Sequence, residues 1–161
     1  MSTGVAPAVL AYIGVGANLG DARATVLQAL QALAALPRTK LLCRSALYRS
    51  APIEASGPDF INAVAEVATS LSPQQLLTEL QQLEQAAGRL RPYRNAPRTL
   101  DLDILLYGDR KLDSPVLTIP HPRMGARAFV LVPLAEIAPS RVSAAQLQAV
   151  GRQGVERLTD D

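Results

Sequence analysis

The segment Thr99-Leu-Asp-Leu-Asp-Ile-Leu-Leu-Tyr107 reads as a strand, yet it carries Asp101 and Asp103 two residues apart. Side chains at i and i+2 of a strand leave from the same face. Their Cα atoms then lie about 6–7 Å apart. Leu100, Leu102, Ile104 and Leu105 around them mark a strand that is mostly buried. Two carboxylates on one face of such a strand repel each other and desolvate badly unless a cation lies between them. A hard divalent metal suits that place, and Mg²⁺ is commonly held by one or two carboxylates together with substrate phosphates. The competing reading is structural: each carboxylate caps a turn or pairs with an arginine. The neighbouring sequence favours the metal. Arg89, Arg91, Arg94 and Arg98 fall between Glu84 and Asp101 with no acid among them. Arginine presents a planar fork that matches phosphate oxygens.

Composition narrows the function classes. The 161 residues are 48% hydrophobic, which argues for a folded core rather than disorder. The expectation is one domain over residues 1–161, with 1–7 and about 140–161 peripheral. A net charge of +2 is too small for a general nucleic-acid binder. The positive charge is local. The single cysteine, Cys43, excludes an internal disulfide and a cysteine-based zinc cluster, and reads as a small buried apolar side chain. No Lys or Arg precedes the apolar run Val5–Val15, which argues against a signal peptide. No run approaches the ~20 apolar residues of a membrane span. A soluble, cytoplasmic protein with no membrane, nucleic-acid or obligatory protein partner is expected.

The element order follows from periodicity and caps. Val9–Val15 reads as a strand, and Asn18-Leu-Gly-Asp21 is turn chemistry with Asp21 as N-cap. Val26, Leu30 and Leu33 form one stripe of a helix over Ala22–Leu36. Thr39–Arg49 and Phe60–Thr69 read as strands, separated by the loop Ser50–Asp59. Ser72-Pro-Gln-Gln75 is a capping box that starts a helix with Leu76, Leu80, Leu83 and Ala87 on its stripe and Gly88 at its end. A basic loop, the strand Thr99–Tyr107, a turn at Gly108-Asp109, a proline-rich stretch and a helix near Phe129–Ile137 follow. The order β-α-β-β-α-β predicts an α/β (α+β) ferredoxin-like sandwich, with a mostly antiparallel sheet and helices packed on it.

Several motifs admit two readings. Gly14-Val-Gly-Ala-Asn-Leu-Gly20 is one residue too long for a dinucleotide fingerprint, and a strand-to-helix turn accounts for it better. His121, the only histidine, lies in Ile-Pro-His-Pro-Arg; a structural role and a phosphate contact both fit. Asn62 could satisfy a backbone group, and Phe60 and Phe129, the only phenylalanines, could simply pack in the core.

Arg98-Thr-Leu-Asp-Leu-Asp-Ile-Leu resembles the signature of the 6-hydroxymethyl-7,8-dihydropterin pyrophosphokinases of folate biosynthesis. Tyr12-Ile-Gly-Val-Gly-Ala-Asn-Leu-Gly, Ser45-Ala-Leu-Tyr-Arg-Ser-Ala-Pro, Asp59-Phe-Ile-Asn-Ala, Glu84 through Arg89, Ile119-Pro-His-Pro-Arg-Met and Phe129-Val-Leu-Val-Pro-Leu are similar to the family in the same order. The likeness covers about residues 9–139. It implies an enzyme that moves the β,γ-diphosphate of ATP onto the hydroxymethyl group of a reduced pterin and releases AMP. It further implies that Asp101 and Asp103 hold two Mg²⁺ and that Arg89 and Arg98 act on the phosphates in the transition state. By the same resemblance, Gln81, Arg91, Ile104, Thr118, His121 and Arg127 contact the nucleotide. Ser50, Ala51, Ile53, Phe60, Asn62 and Phe129 form the pterin pocket. The chain departs from the pattern at Asn95, where the family has a tryptophan, at Pro122 for an aromatic and at Val116 for an arginine; its basic loop is one residue shorter.

On that reading, catalysis is mainly positioning and charge neutralisation. No side chain stands out as a general base. The loops Ser50–Asp59 and Arg89–Asn95 are expected to close over bound ATP. A regulatory binding module, an RNA-binding sandwich and an ordinary γ-phosphate kinase are the rival classes.

Overall fold

Apolar residues alternate along three strands that lie side by side. The first, β1 (Val9–Ala17), buries Ala11, Ile13, Val15 and Ala17 on one face. The computed structural model describes residues 7–51, 58–88 and 100–159. After β1 come α1 (Ala22–Ala34), β2 (Thr39–Arg44), β3 (Tyr48–Ser50), β4 (Phe60–Thr69), α2 (Pro73–Gly88) and β5 (Asp101–Tyr107). The short strands β6 (Leu112–Asp113) and β7 (Thr118–Ile119) precede α3 (Ala128–Ile137), α4 (Ala144–Ala149) and β8 (Val155–Arg157).

The main sheet runs β5-β1-β4-β3-β8, with β2 also paired to β4. Every strand pairing among the described residues is antiparallel. The parallel sheet of a dinucleotide-binding fold is therefore absent among them. Gly14 and Gly16 lie inside β1, and only Gly20, at φ +60°, supplies the turn into α1. This corrects the turn reading of that glycine run.

Helices cover both faces of the sheet. One core packs β1, β4 and β5 against α1 and α2 through Val26, Leu30, Leu33, Leu76 and Leu80. Leu33, Leu76 and Leu80 are fully buried, and each contributes roughly 1.5–3 kcal/mol. The opposite core joins Tyr12, Val64 and Leu105 to Leu131 and Leu134 of α3. Local chemistry sets the helix starts. The Asp21 side chain accepts from Ala24 N at 3.1 Å, a cap worth about 1 kcal/mol. Ser72 Oγ accepts from Gln75 N, and Gln75 Oε1 accepts from Ser72 N, closing the expected capping box.

Two further expectations need correction. The strand expected over 39–49 is two strands, because the Ser45 hydroxyl takes the β4 amide of Val64 and Glu136 captures the backbone amide of Ala46. Ser45 Oγ accepts from Val64 N at 3.0 Å, and the Glu136 carboxylate accepts from Ala46 N. Cys43 is exposed, not buried. A register shift between Leu41 and Cys43 turns the thiol onto the outer face beside Glu66. Desolvation of the sulfur by its neighbours, and then Glu66, push that thiol up, away from the thiolate form. The strand expected over 99–107 is β5, which begins at Asp101, and Thr99 lies outside the described residues. Among the described residues, no helix is long and apolar enough to cross a membrane.

Candidate active site

The site is built on the sheet face that α3 covers. Pairing places Asp103 of β5 opposite Gly14 of β1, and Gly14 opposite Val64 of β4. The next row holds Asp101, Gly16, Asn62 and then Tyr48 of β3. The two aspartates thus share one face, as their spacing predicts, while Leu102 and Ile104 between and after them enter the opposite core. Both aspartates are exposed. Between them and Asn62 the sheet presents only glycine, so the floor lies at backbone level.

Above that floor is a cavity of about 300 Å³. Asp101 and Asp103 bound one side, Phe60 and Asn62 the other, and Arg127 and Phe129 of the α3 start the top. A second cavity of about 240 Å³ opens on the other side of Asp103, lined by Leu77, Ile104, Val116, Leu117, Thr118 and Pro122. Asp103 and His121 belong to both cavities. Asp103 and His121 therefore stand at the junction of two separate pockets, with Asp101 facing the first.

Hydrogen bonds fix the walls. Asn62 is buried, and its Nδ2 donates to Ser50 Oγ at 2.8 Å. That orients the amide so that Oδ1 lies over Gly16, where an added Cβ would sit 3.0 Å away. The Arg127 guanidinium lies 5.4 Å from the centroid of the Phe129 ring. His121 Nδ1 accepts from Arg123 N at 3.2 Å, which leaves the proton on Nε2. Nε2 lies 3.9 Å from Asp103 Oδ1. Burial lowers the His121 pKa from its ordinary value; Arg127 and Arg123 act in the same direction and Asp103 opposes them. The imidazole is then neutral near pH 7, a donor rather than a cation.

The sequence reading meets this geometry unevenly. Ala51, Phe60, Asn62, Asp101, Asp103, His121, Arg127 and Phe129 converge on the first cavity, and Ile104, Thr118 and His121 on the second. Ser50 acts from behind, by holding Asn62. Gln81 is exposed on α2 and lines neither cavity. Ile53, Arg89, Arg91, Arg94, Asn95 and Arg98, with most of the two expected closing loops, lie outside the described residues. One participant, quoted only within a family-like motif, was given no role from the sequence. Glu84 of α2 accepts from Leu102 N at 2.8 Å, the backbone amide between the two aspartates. β5 is an edge strand here, and Glu84 satisfies an outward N–H that would otherwise lack a partner strand. An acid one turn before the end of α2, a helix otherwise rich in glutamine, was the available signal.

The 7,8-dihydro-6-hydroxymethylpterin-pyrophosphokinase (HPPK) family model matches residues 12–139. The chain belongs to this family. It is 46% identical over 154 residues to the 2-amino-4-hydroxy-6-hydroxymethyldihydropteridine pyrophosphokinase of Pseudomonas aeruginosa, covering 91% of this chain and 95% of that one. The enzyme of the same name from Haemophilus influenzae is 47% identical over 135 residues, covering 83% and 84%. Solved HPPK-DHPS structures share the fold. One in complex with substrates matches with a TM-score of 0.68 at 14% identity, covering 90% of this chain and 43% of that one. Another, from Plasmodium falciparum, gives 0.67 at 15% identity, covering 85% and 43%. This chain thus spans less than half the length of those structures' chains, and at such identity they bear on the fold alone. The HPPK match ends near the close of α3, so α4 and β8 lie beyond it.

Proposed function

We propose that this chain transfers the β,γ-diphosphate of ATP to the hydroxymethyl group of 6-hydroxymethyl-7,8-dihydropterin, giving the pterin diphosphate and AMP in folate biosynthesis. The observation that carries the reading is the junction at Asp103. One pocket offers two phenyl rings and an oriented amide, suited to a flat heterocycle with polar edges. The other is a separate pocket for a second ligand, and Asp103 stands where the two ligands would meet, with Asp101 beside it. The strand order β5-β1-β4 followed by β2 and β3 supports the ferredoxin-like βαββαβ assignment. A single-domain, cytoplasmic enzyme without an obligatory protein partner is part of the same proposal.

The residues present fit Mg²⁺. Two adjacent carboxylates face a cavity, and no group of three or more His, Cys, Asp or Glu among the described residues makes a complete metal cage. Mg²⁺ takes few protein ligands and keeps sites for water and phosphate. Asp101 and Asp103 would hold two such ions. Held there, such ions would supply charge neutralisation on the triphosphate and would lower the pKa of the attacking hydroxyl.

The chain's own side chains do the remaining work. Asn62 reads the pterin edge with its Oδ1, and Phe60 and Phe129 bracket the ring. Ser50, Ala51 and Ile53 complete that pocket. Arg127 and the Nε2–H of neutral His121 point donors at phosphate oxygens. Thr118 and Ile104 line the nucleotide side, with Gln81 and Arg91 assigned to the nucleotide by resemblance. Arg89 and Arg98 are assigned to the charge that shifts toward the bridging oxygen as the α–β bond breaks. The test is to incubate the protein with ATP, Mg²⁺ and the reduced pterin alcohol and identify the nucleotide released. AMP supports the proposal; ADP would make it an ordinary kinase, and no turnover would refute an enzymatic role.

A further inference from the structure

Arg127 occupies the N-cap position of α3 and makes no side-chain cap hydrogen bond. A guanidinium has no acceptor, so it cannot do what Ser, Thr, Asp or Asn does there. The amide of Ala128 is one of the orphan donors at that helix start. Its acceptor comes from 25 residues downstream: Gln153 Oε1, at 2.9 Å. The other end of the same amide, Gln153 Nε2, donates to Ala126 O at 2.9 Å. One primary amide thus clamps the backbone on both sides of Arg127. Only one orientation of that amide works, because one backbone group is a donor and the other an acceptor.

We propose that Gln153 is a positioning residue: it takes over the capping of α3 so that position 127 can carry a guanidinium into the cavity with Phe129 beneath it. The rest of the C-terminal arm fixes where Gln153 stands. Its own N–H donates to Val150 O, and Val150 is buried in the core under α3. Two residues on from Gln153, β8 begins and pairs with β3, matching Tyr48 to Arg157 and Ser50 to Val155. Leu158 N then donates to Leu47 O at 2.8 Å. The arm thereby ties the α3 start, which carries Arg127 and Phe129, to the strand that carries Ser50. These are two walls of one pocket. None of Thr118, Ile104 or Leu77 on the nucleotide side touches this arm through a hydrogen bond among the described residues. The effect therefore falls on the first cavity and on Arg127, the phosphate donor that lines it, and not on the second cavity.

The inference rests on the pterin reading of that cavity, and its test separates the two. Gln153→Ala removes both bonds. Gln153→Glu keeps an acceptor for Ala128 N–H and loses the donor to Ala126. In Gln153→Ala, binding of 6-hydroxymethylpterin is expected to weaken roughly 5- to 20-fold, with KM for the reduced pterin rising in step. The turnover number should fall as well, because Arg127 is a phosphate donor, while AMP binding, read at the second cavity, should stay within about twofold. Gln153→Glu should fall between Ala and the parent. Amide exchange at Ala128–Leu131 in the ligand-free protein should quicken in Gln153→Ala. Unchanged exchange there would overturn the brace whatever the ligands are. Unchanged pterin binding, or equal weakening of pterin and AMP together with a lowered melting temperature, would reduce Gln153 to a general structural contact. A parent protein that takes neither pterin nor ATP would overturn the site reading instead, while faster exchange in the variant would still support the brace.

Discussion

Adding one methyl group to the cavity floor should separate pterin binding from stability. In Gly16→Ala the new Cβ meets Asn62 Oδ1 at 3.0 Å, with Ile61 O next at 3.9 Å. Contacts of 3.0 Å force one partner to move. Asn62 resists, because its Nδ2 is bonded to Ser50 Oγ at 2.8 Å and both residues are buried. Swinging the amide away forfeits that bond, roughly 1 kcal/mol, and turns Oδ1 out of its reading position. If Asn62 holds, local overpacking costs about 1–3 kcal/mol instead. Replacing a strand glycine by alanine returns roughly 0.5–1 kcal/mol through the unfolded chain. Folding stability should therefore change by no more than about 2 kcal/mol. A ligand lying on the floor bears both the lost amide geometry and the intruding methyl. Its affinity should fall by about 1.5–3 kcal/mol, roughly 10- to 100-fold. Calorimetric titration with 6-hydroxymethylpterin and, separately, with AMP reads the two cavities, and denaturant unfolding reads the fold. Pterin affinity within twofold of the parent would refute a floor at Gly16. An equal loss for AMP would refute the division into two pockets.

Other perturbations bear on different parts of the site. Asp101→Asn and Asp103→Asn should each lower AMP release by at least about 10³-fold with melting temperature preserved; retained turnover with normal Mg²⁺ dependence would exclude the metal assignment. Glu84→Ala should cost about 1–3 kcal/mol of stability, since it leaves Leu102 N–H without its carboxylate, and should raise the Mg²⁺ concentration for half-maximal rate; Glu84→Gln, which keeps an acceptor, should do less. Burial, and then the Glu136 carboxylate at 2.5 Å, push the Tyr48 phenol up to about 12. The folded state thus holds that proton more tightly than the unfolded chain, so the contribution is complete below pH 10 and is lost as pH rises from 10 through 12. Unfolding titrations across that range should show a steeper alkaline loss in the parent than in Tyr48→Phe, and parallel curves would contradict the linkage.

How much of this was legible in the sequence depended on whether the signal was local. The paired aspartates were, because a period of two on a strand decides facing without any tertiary information. So were the helix starts at Asp21 and Ser72, where donor and acceptor are three residues apart. Family likeness, rather than pattern, pointed to Asn62, Phe60 and Phe129, and the structure brings them to one cavity. The break between β2 and β3 was invisible, since Glu136, which holds Ala46 N, lies 90 residues away. Exposure of Cys43 was equally hidden: a one-residue register shift reverses which face a strand side chain takes, and nothing in Leu-Leu-Cys-Arg announces it.

The C-terminal segment shows where such reading stops for a physical reason. An isolated glutamine has no sequence signature, because its two functions, donor and acceptor, are spent on backbone groups that any residue type would offer. What could have pointed to it was a deficit elsewhere. A helix whose N-cap is arginine lacks the side-chain acceptor that helix starts usually have, so some other group must supply one or the buried end stays unsatisfied. Asking which residue covers that deficit leads from Arg127 to Gln153 and hence from the site to the arm behind it. The same reasoning applies to the edge of β5, where an outward amide between two acids needed an acceptor and Glu84 provides it. In both places the residue that enters the cavity is free to do so because a distant side chain satisfies the backbone beside it.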